Sequence, residues 1–333
     1  MRVFKLCASF ALFASFAVGA VAAVPRVAHA DVSTTSIAKG YDGGNIEHPR
    51  AVAMGGALAA SGASTTAIFN NPANLSLARV QHFEGLAALG FEARRQSYGG
   101  AIADSYTNRV AGGVSGMWST MDSDGVHRIW SDFRLGLGFQ LSDRIMVGIA
   151  GKYQRINQSI SGGPFGLSTP SSGTADAPIS QAFTFDAGLT VVPIDGLSIG
   201  VTGRNLTMPN NGLIPTQVQG GVAFSKSVFT VEADAMADFN TFVKAKGRYM
   251  AGAELFVAEK FPIRAGYQFD EGTKTHTVSG GLGYVEQQWS IELGVKRDVS
   301  GDVPATLGVV GVRLFYDQLN GSGGVSDPMG QYR

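Results

Sequence analysis

Trp289-Ser290-Ile291-Glu292-Leu293-Gly294-Val295-Lys296 alternates strictly between apolar and small or charged residues. In an extended chain successive side chains point to opposite sides. Trp289, Ile291, Leu293 and Val295 therefore share one face, and Ser290, Glu292, Gly294 and Lys296 the other. The same pattern runs through Ile263 to Phe269, Phe183 to Thr190 and Phe229 to Ala235. Any one such stretch also fits a half-buried strand of a soluble sheet. Length and number favour a membrane barrel, because segments of about 9–13 residues recur to Tyr316 and a lipid-facing strand needs about 9–11.

Fourteen segments are predicted, at 82–92, 95–104, 108–119, 129–141, 144–157, 179–193, 196–206, 215–225, 227–238, 246–258, 260–270, 274–285, 288–298 and 304–316. An even number returns both termini to one side of a closed antiparallel barrel. From the fourth segment on, tight links (Ser142-Asp143, Asp195-Gly196, Lys226, Glu259, Glu286-Gln287) alternate with longer ones. The longest, Ser159 to Pro178, falls on the outer side, where long loops belong. Trp118 and Trp130 flank one outer loop, Tyr284 and Trp289 one periplasmic turn, and all four are expected in interfacial girdles.

Ahead of the strands the chain opens with Arg2 and Lys5, an apolar run from Phe10 to Val24, and Ala28-His29-Ala30. That order predicts a signal peptide over 1–30, cleaved near Ala30, and export to a Gram-negative type of outer membrane. A membrane-anchoring helix is the alternative, but the run is short and ends at Pro25-Arg26. Cys7 leaves with the leader, so no thiolate or disulfide chemistry is expected. Losing Arg2, Lys5 and Arg26 leaves 23 basic and 26 acidic residues, a net charge of −3. That balance gives no reason to expect a nucleic-acid partner. His48, His82, His127 and His276 lack metal-site spacing, and no nucleophile elbow or phosphate loop appears. Ser123 and Asp124 near His127 fit a polar loop better than a triad. The chain reads as a non-enzyme without metal or cofactor.

Between leader and strands lies RAVAMGGALAASGASTTAIFNNPANLSL, Arg50 to Leu77, small-residue-rich and almost uncharged. Ser64 is placed to cap a short helix over 65–69, Asn70 to end it, and Pro72 to open a second turn to Leu77. The domain plan is 31–81 for a periplasmic lead-in and plug, 82–316 for the barrel, and 317–333 for a polar tail. A small helical cap outside the sheet is the alternative to a plug.

If the apolar faces meet outer-membrane lipid, the opposite faces line the lumen. They carry Arg134, Lys152, Asp186, Arg204, Glu232, Asp234, Lys246, Arg248, Glu254, Arg264, Glu292 and Lys296. Both signs are present, as in a paired network rather than an ion-selecting ring. The same faces hold Gly136, Gly138, Gly148, Gly188, Gly200, Gly252, Gly266, Gly281, Gly283 and Gly294. Strand glycines mark either curvature or the close approach of another backbone. Both readings stand at this level.

The pair Met54-Gly55-Gly56-Ala57 and Asn70-Asn71-Pro72-Ala73 resembles the N-terminal hatch of FadL-type outer-membrane transporters and their PorV-type relatives. The resemblance implies a fourteen-stranded barrel with an N-terminal hatch. It also implies one of two roles: passage of long-chain fatty acids or other hydrophobic small molecules, or partnership with secretion and envelope proteins. Met54, Gly55, Gly56, Asn70, Asn71 and Pro72 match the hatch motif. The short polar outer loops and the tail after Tyr316 depart from the family.

Overall fold

Each predicted alternating segment forms a strand, with ends within two residues of the expected ones. The computed structural model describes residues 48–316 apart from 93, 108–109, 122–127, 159–177, 209–213 and 302–303. The leader, the tail and the Ser123, Asp124 and His127 group lie outside the described residues. The strands are β1 Gln81–Gly90, β2 Arg95–Asp104, β3 Val110–Met121, β4 Arg128–Ser142, β5 Ile145–Gln158, β6 Pro178–Ile194 and β7 Leu197–Arg204. The second half comprises β8 Gln217–Lys226, β9 Phe229–Asp238, β10 Lys246–Val257, β11 Phe261–Asp270, β12 Thr275–Val285, β13 Trp289–Asp298 and β14 Thr306–Phe315.

All neighbours are antiparallel, and β1 closes the sheet by pairing with both β2 and β14. His82 stands opposite Ala103 on one side and Phe315 on the other. Closure leaves no unpaired edge, the condition for a sheet to sit in hydrocarbon. The rim where β1 begins and β14 ends, here the proximal rim, carries the tight turns. Gly196, Ser227, Ala258 and Glu259 take positive φ there, as tight hairpin links require.

Burial follows the period of two. Trp289, Ile291, Leu293 and Val295 are exposed on the outer wall, while Ser290 and Glu292 are buried inside. Tyr284 and Trp289 meet edge to face at 5.6 Å near the proximal rim. Tyr98 and Trp118 stack at 6.5 Å near the distal rim. Trp130 corrects the girdle expectation, because it is buried in the lumen. It shares the parity of Asp132 and Arg134 on β4, so it cannot face lipid while they face inward.

Among the described residues no helix is long and apolar enough to cross a membrane. Helix α1, Pro49–Ala53, helix α2, Thr65–Phe69, and a 3-10 turn, Pro72–Ser76, all lie inside the barrel.

The outward register predicts a depth-dependent cost for charge. Leu293, mid-strand on β13, replaced by Arg should destabilise the barrel by about 2–4 kcal/mol, whereas Val257→Arg at the end of β10 should cost about 0–1. Urea unfolding in lipid vesicles measures both. Equal costs would mean that the apolar belt is not centred on the bilayer.

Candidate functional site

The lumen is occupied by the chain's own residues 48–77. His48 caps α1: its Nδ1 accepts from the backbone N–H of Arg50 at 3.2 Å, and Pro49 takes the first helical position. Gly55 and Gly56 then reverse the chain at φ of 67° and 87°, a conformation only glycine adopts cheaply. A strap over residues 57–63 follows, then α2.

Ser64 corrects the capping expectation. Its hydroxyl makes no cap bond and lies 2.7 Å from His82 Nδ1, because a φ of 60° turns the side chain toward β1. Asn70 closes α2 with its N–H on the Ala67 and Thr66 carbonyls and its amide on the Thr66 carbonyl. Asn71 is extended before Pro72 and accepts from the N–H of Ala73 at 3.1 Å.

The wall fits this insert through its glycines. A Cβ at Gly148 would lie 2.3 Å from the Pro72 carbonyl carbon, at Gly200 2.0 Å from the Ala59 oxygen, and at Gly266 2.2 Å from the Gly55 nitrogen. Of the ten inward glycines read from the sequence, all but Gly283 would meet a plug atom within 4 Å. Close backbone approach, not curvature alone, accounts for them.

Three polar groups fix the plug. In the first, carboxylates and guanidiniums alternate from Glu84 to Arg50, with the His48 imidazole at the Glu84 end. His48 Nε2 lies 2.8 Å from Glu84, Arg313 3.3 Å from Glu84 and 3.6 Å from Glu292, and Arg264 2.6 Å from Glu292. Arg264 also binds Glu254, which takes the Arg50 guanidinium through both oxygens at 2.9 and 3.2 Å. Breaking a buried pair of this kind leaves an uncompensated charge and costs about 3–5 kcal/mol.

The second group lies across the lumen. Arg134 binds Asp132 at 2.7 Å, donates to the Phe69 carbonyl at 3.3 Å and stands 5.2 Å over the Phe69 ring. Beside it Lys152 pairs with Asp186 at 3.1 Å. The third group is carboxylate on backbone. Asp234 accepts from the N–H groups of Leu58 and Ala59 at 3.0 and 2.9 Å, and Glu232 from those of Ala60 and Ser61 at 2.6 and 3.2 Å. Asn71 and Asn74 donate from the far side to the Ala59 carbonyl at 2.7 and 3.1 Å. The buried irregular backbone thus finds the partners it needs.

The structure brings Glu254, Arg264 and Glu292 into one group, Arg134, Lys152 and Asp186 into another, and Glu232 and Asp234 onto the strap. Arg204 reaches Gln219 at 2.8 Å; Arg248 pairs with Asp270 at 2.8 Å and Lys246 with Glu271 at 3.5 Å, toward the distal rim. Lys296 lines a distal cavity. Sequence reasoning missed His48, Arg50, Glu84, Asp132 and Arg313 as plug-holding or lumen-network groups. The inward parity of Glu84, Asp132 and Arg313 was available as a signal, while the role of His48 had none. Among the described residues no group of three His, Cys, Asp or Glu could hold a metal ion.

Two spaces flank the plug. A cavity of about 200 Å³ at the proximal side is lined by Arg50, Ala60, Ser61, Ala63, Ser225 and Thr230 among others. The distal one, about 50 Å³, has Phe69, Met236 and Met250 beside Arg204, Arg248 and Lys296.

The fold as a whole has counterparts among solved structures. The monoaromatic hydrocarbon channel CymD superposes with a TM-score of 0.61 at 14% identity, over 80% of this chain and 96% of that one. The toluene transporter TbuX of Ralstonia pickettii gives 0.59 at 14% identity, over 81% and 98%. A FadL homologue of Pseudomonas aeruginosa gives 0.54 at 14%, over 80% and 98%. The barrel has the FadL-type fold. No protein-family model matches the sequence, and no curated protein does either. At this identity the likeness is one of fold alone.

Proposed function

We propose that this FadL-type barrel lies in the outer membrane, with the proximal rim toward the periplasm, and passes small hydrophobic molecules. Monoaromatic hydrocarbons and long-chain fatty acids are the two candidate classes. The observation that carries the reading is the plugged fourteen-stranded barrel, whose counterparts include a hydrocarbon channel and a toluene transporter matched over nearly their whole length. The distal cavity agrees in chemistry: Phe69, Met236 and Met250 offer apolar surface, and Arg204, Arg248 and Lys296 cations suited to a carboxylate head. Its volume of about 50 Å³ is too small for an aromatic ring, since benzene needs a cavity of roughly 150 Å³. On this reading the plug must move before a substrate passes.

Vesicles containing the protein should take up labelled toluene or oleate faster than empty vesicles. The class with the larger excess is the substrate. No excess for either overturns the transport reading and leaves partnership with secretion or envelope proteins, or a structural barrel without transport, as the alternatives.

A further inference from the structure

We propose that the strap of residues 57–63 is the moving part of the plug, and that the path it uncovers runs along β8 and β9 and carries water and small cations. This goes beyond hydrophobic transport and can fail separately from it. The inward residues of β9, read from the proximal rim, are Thr230, Glu232, Asp234, Met236 and Asp238. Thr230 borders the proximal cavity and Met236 the distal one. Glu232 and Asp234, between them, hold the strap. Along this wall the cavities are separated by that attachment.

The attachment differs from the others. Glu84 and Glu254 hold the start of the plug as members of ion pairs with Arg313, Arg50 and Arg264. The hydrogen bonds that join Glu232 and Asp234 to the strap and to β8 come from neutral donors: the four strap N–H groups, the Ser61 hydroxyl and the Gln219 amide, 2.6 Å from Asp234. The Arg50 charge acts on Glu232 as well. Two neighbouring carboxylates buried in this way carry a desolvation cost and mutual repulsion. Opening hydrates both, which offsets the hydrogen bonds lost. The strap itself is Ala57, Leu58, Ala59, Ala60, Ser61, Gly62 and Ala63; its side chains are mostly single methyl groups, and the apolar contact its departure from β9 must break is that of Ala57 with Met236 and Met250. On its far side Asn71, Asn74 and the Arg50 guanidinium, 3.1 Å from the Ser61 carbonyl, keep it attached.

The uncovered wall is small and polar. Gly200, Gly221 and Ala223 give room, and Thr230, Glu232, Asp234 and Gln219 supply acceptors and negative charge. Such a lining admits water and cations and offers nothing to a hydrocarbon. Glu232 and Asp234 act as positioning residues for the strap when closed.

Hydrogen exchange on the intact protein should show the amides of 58–61 exchanging about tenfold faster than those of Val52 and Met54, which bond within and just after α1. Equal or slower strap exchange overturns the proposal. In planar bilayers the rare openings of intact protein should favour K⁺ over Cl⁻, and openings without that preference overturn the route. The E232A/D234A double variant, checked as folded by its altered migration when unheated, should raise conductance about tenfold. A folded double variant that conducts no more than the parent overturns the strap as gate. Toluene uptake alongside any of these negative results would leave the transport reading intact.

Discussion

A barrel lacking residues 50–77 conducts small ions continuously in a planar bilayer, whereas the intact protein conducts little. The fourteen ladders close without any contribution from the plug, so the deletion leaves the sheet complete. What it removes is a lumen filling that is almost wholly shielded: Met54, Leu58, Asn71 and Asn74 are each 0% exposed. The groups left behind, among them Glu84, Glu232, Asp234 and Glu254, are charged and hydrate readily once water enters. Barrels only slightly larger leave an aqueous channel, so the rise in conductance should be about tenfold or more. Equal conductance of the two proteins would show that the segment does not block the lumen.

A second large effect is expected from one added methyl group. Gly148→Ala should destabilise the plugged state by about 1–3 kcal/mol or more, because overpacking forces shifts in its neighbours. The new Cβ would stand 2.3–2.5 Å from the Pro72 carbonyl group and the Ala73 nitrogen, all backbone atoms that cannot rotate aside. Gly85→Ala on β1 is the internal comparison. Its Cβ would meet nothing within 4 Å, and it points outward. That change should be neutral or slightly stabilising, since alanine loses less backbone entropy than glycine. Thermal unfolding in detergent, together with conductance to detect an expelled plug, separates the two variants. Equal behaviour would mean that the lumen wall yields to the plug.

The alternation seen at Trp289–Lys296, repeated through fourteen long segments, was enough to determine the barrel, because a period of two sustained at that length and number has few other outlets. Loop parity likewise determined that the ends of β1 and β14 share a rim. Both are local properties: side-chain direction flips at every residue, and a tight hairpin reverses the chain within a few. The same parity was available for Glu84, Asp132 and Arg313, which the sequence reading nonetheless missed, and their partners were not legible. Those partners belong to closure. His48 meets Arg313 across 265 positions and Arg50 meets Glu254 across 204. Trp130 and Ser64 went the same way: an aromatic near a loop and a serine before a helix each had a plausible local role, and a neighbouring strand supplied a better one. The inward glycines show the division most clearly. The sequence determined that one face of the wall is bare, and only the folded molecule decided why. A missing Cβ has the same spelling whether it relieves curvature or admits a backbone, and the difference lies in what stands opposite.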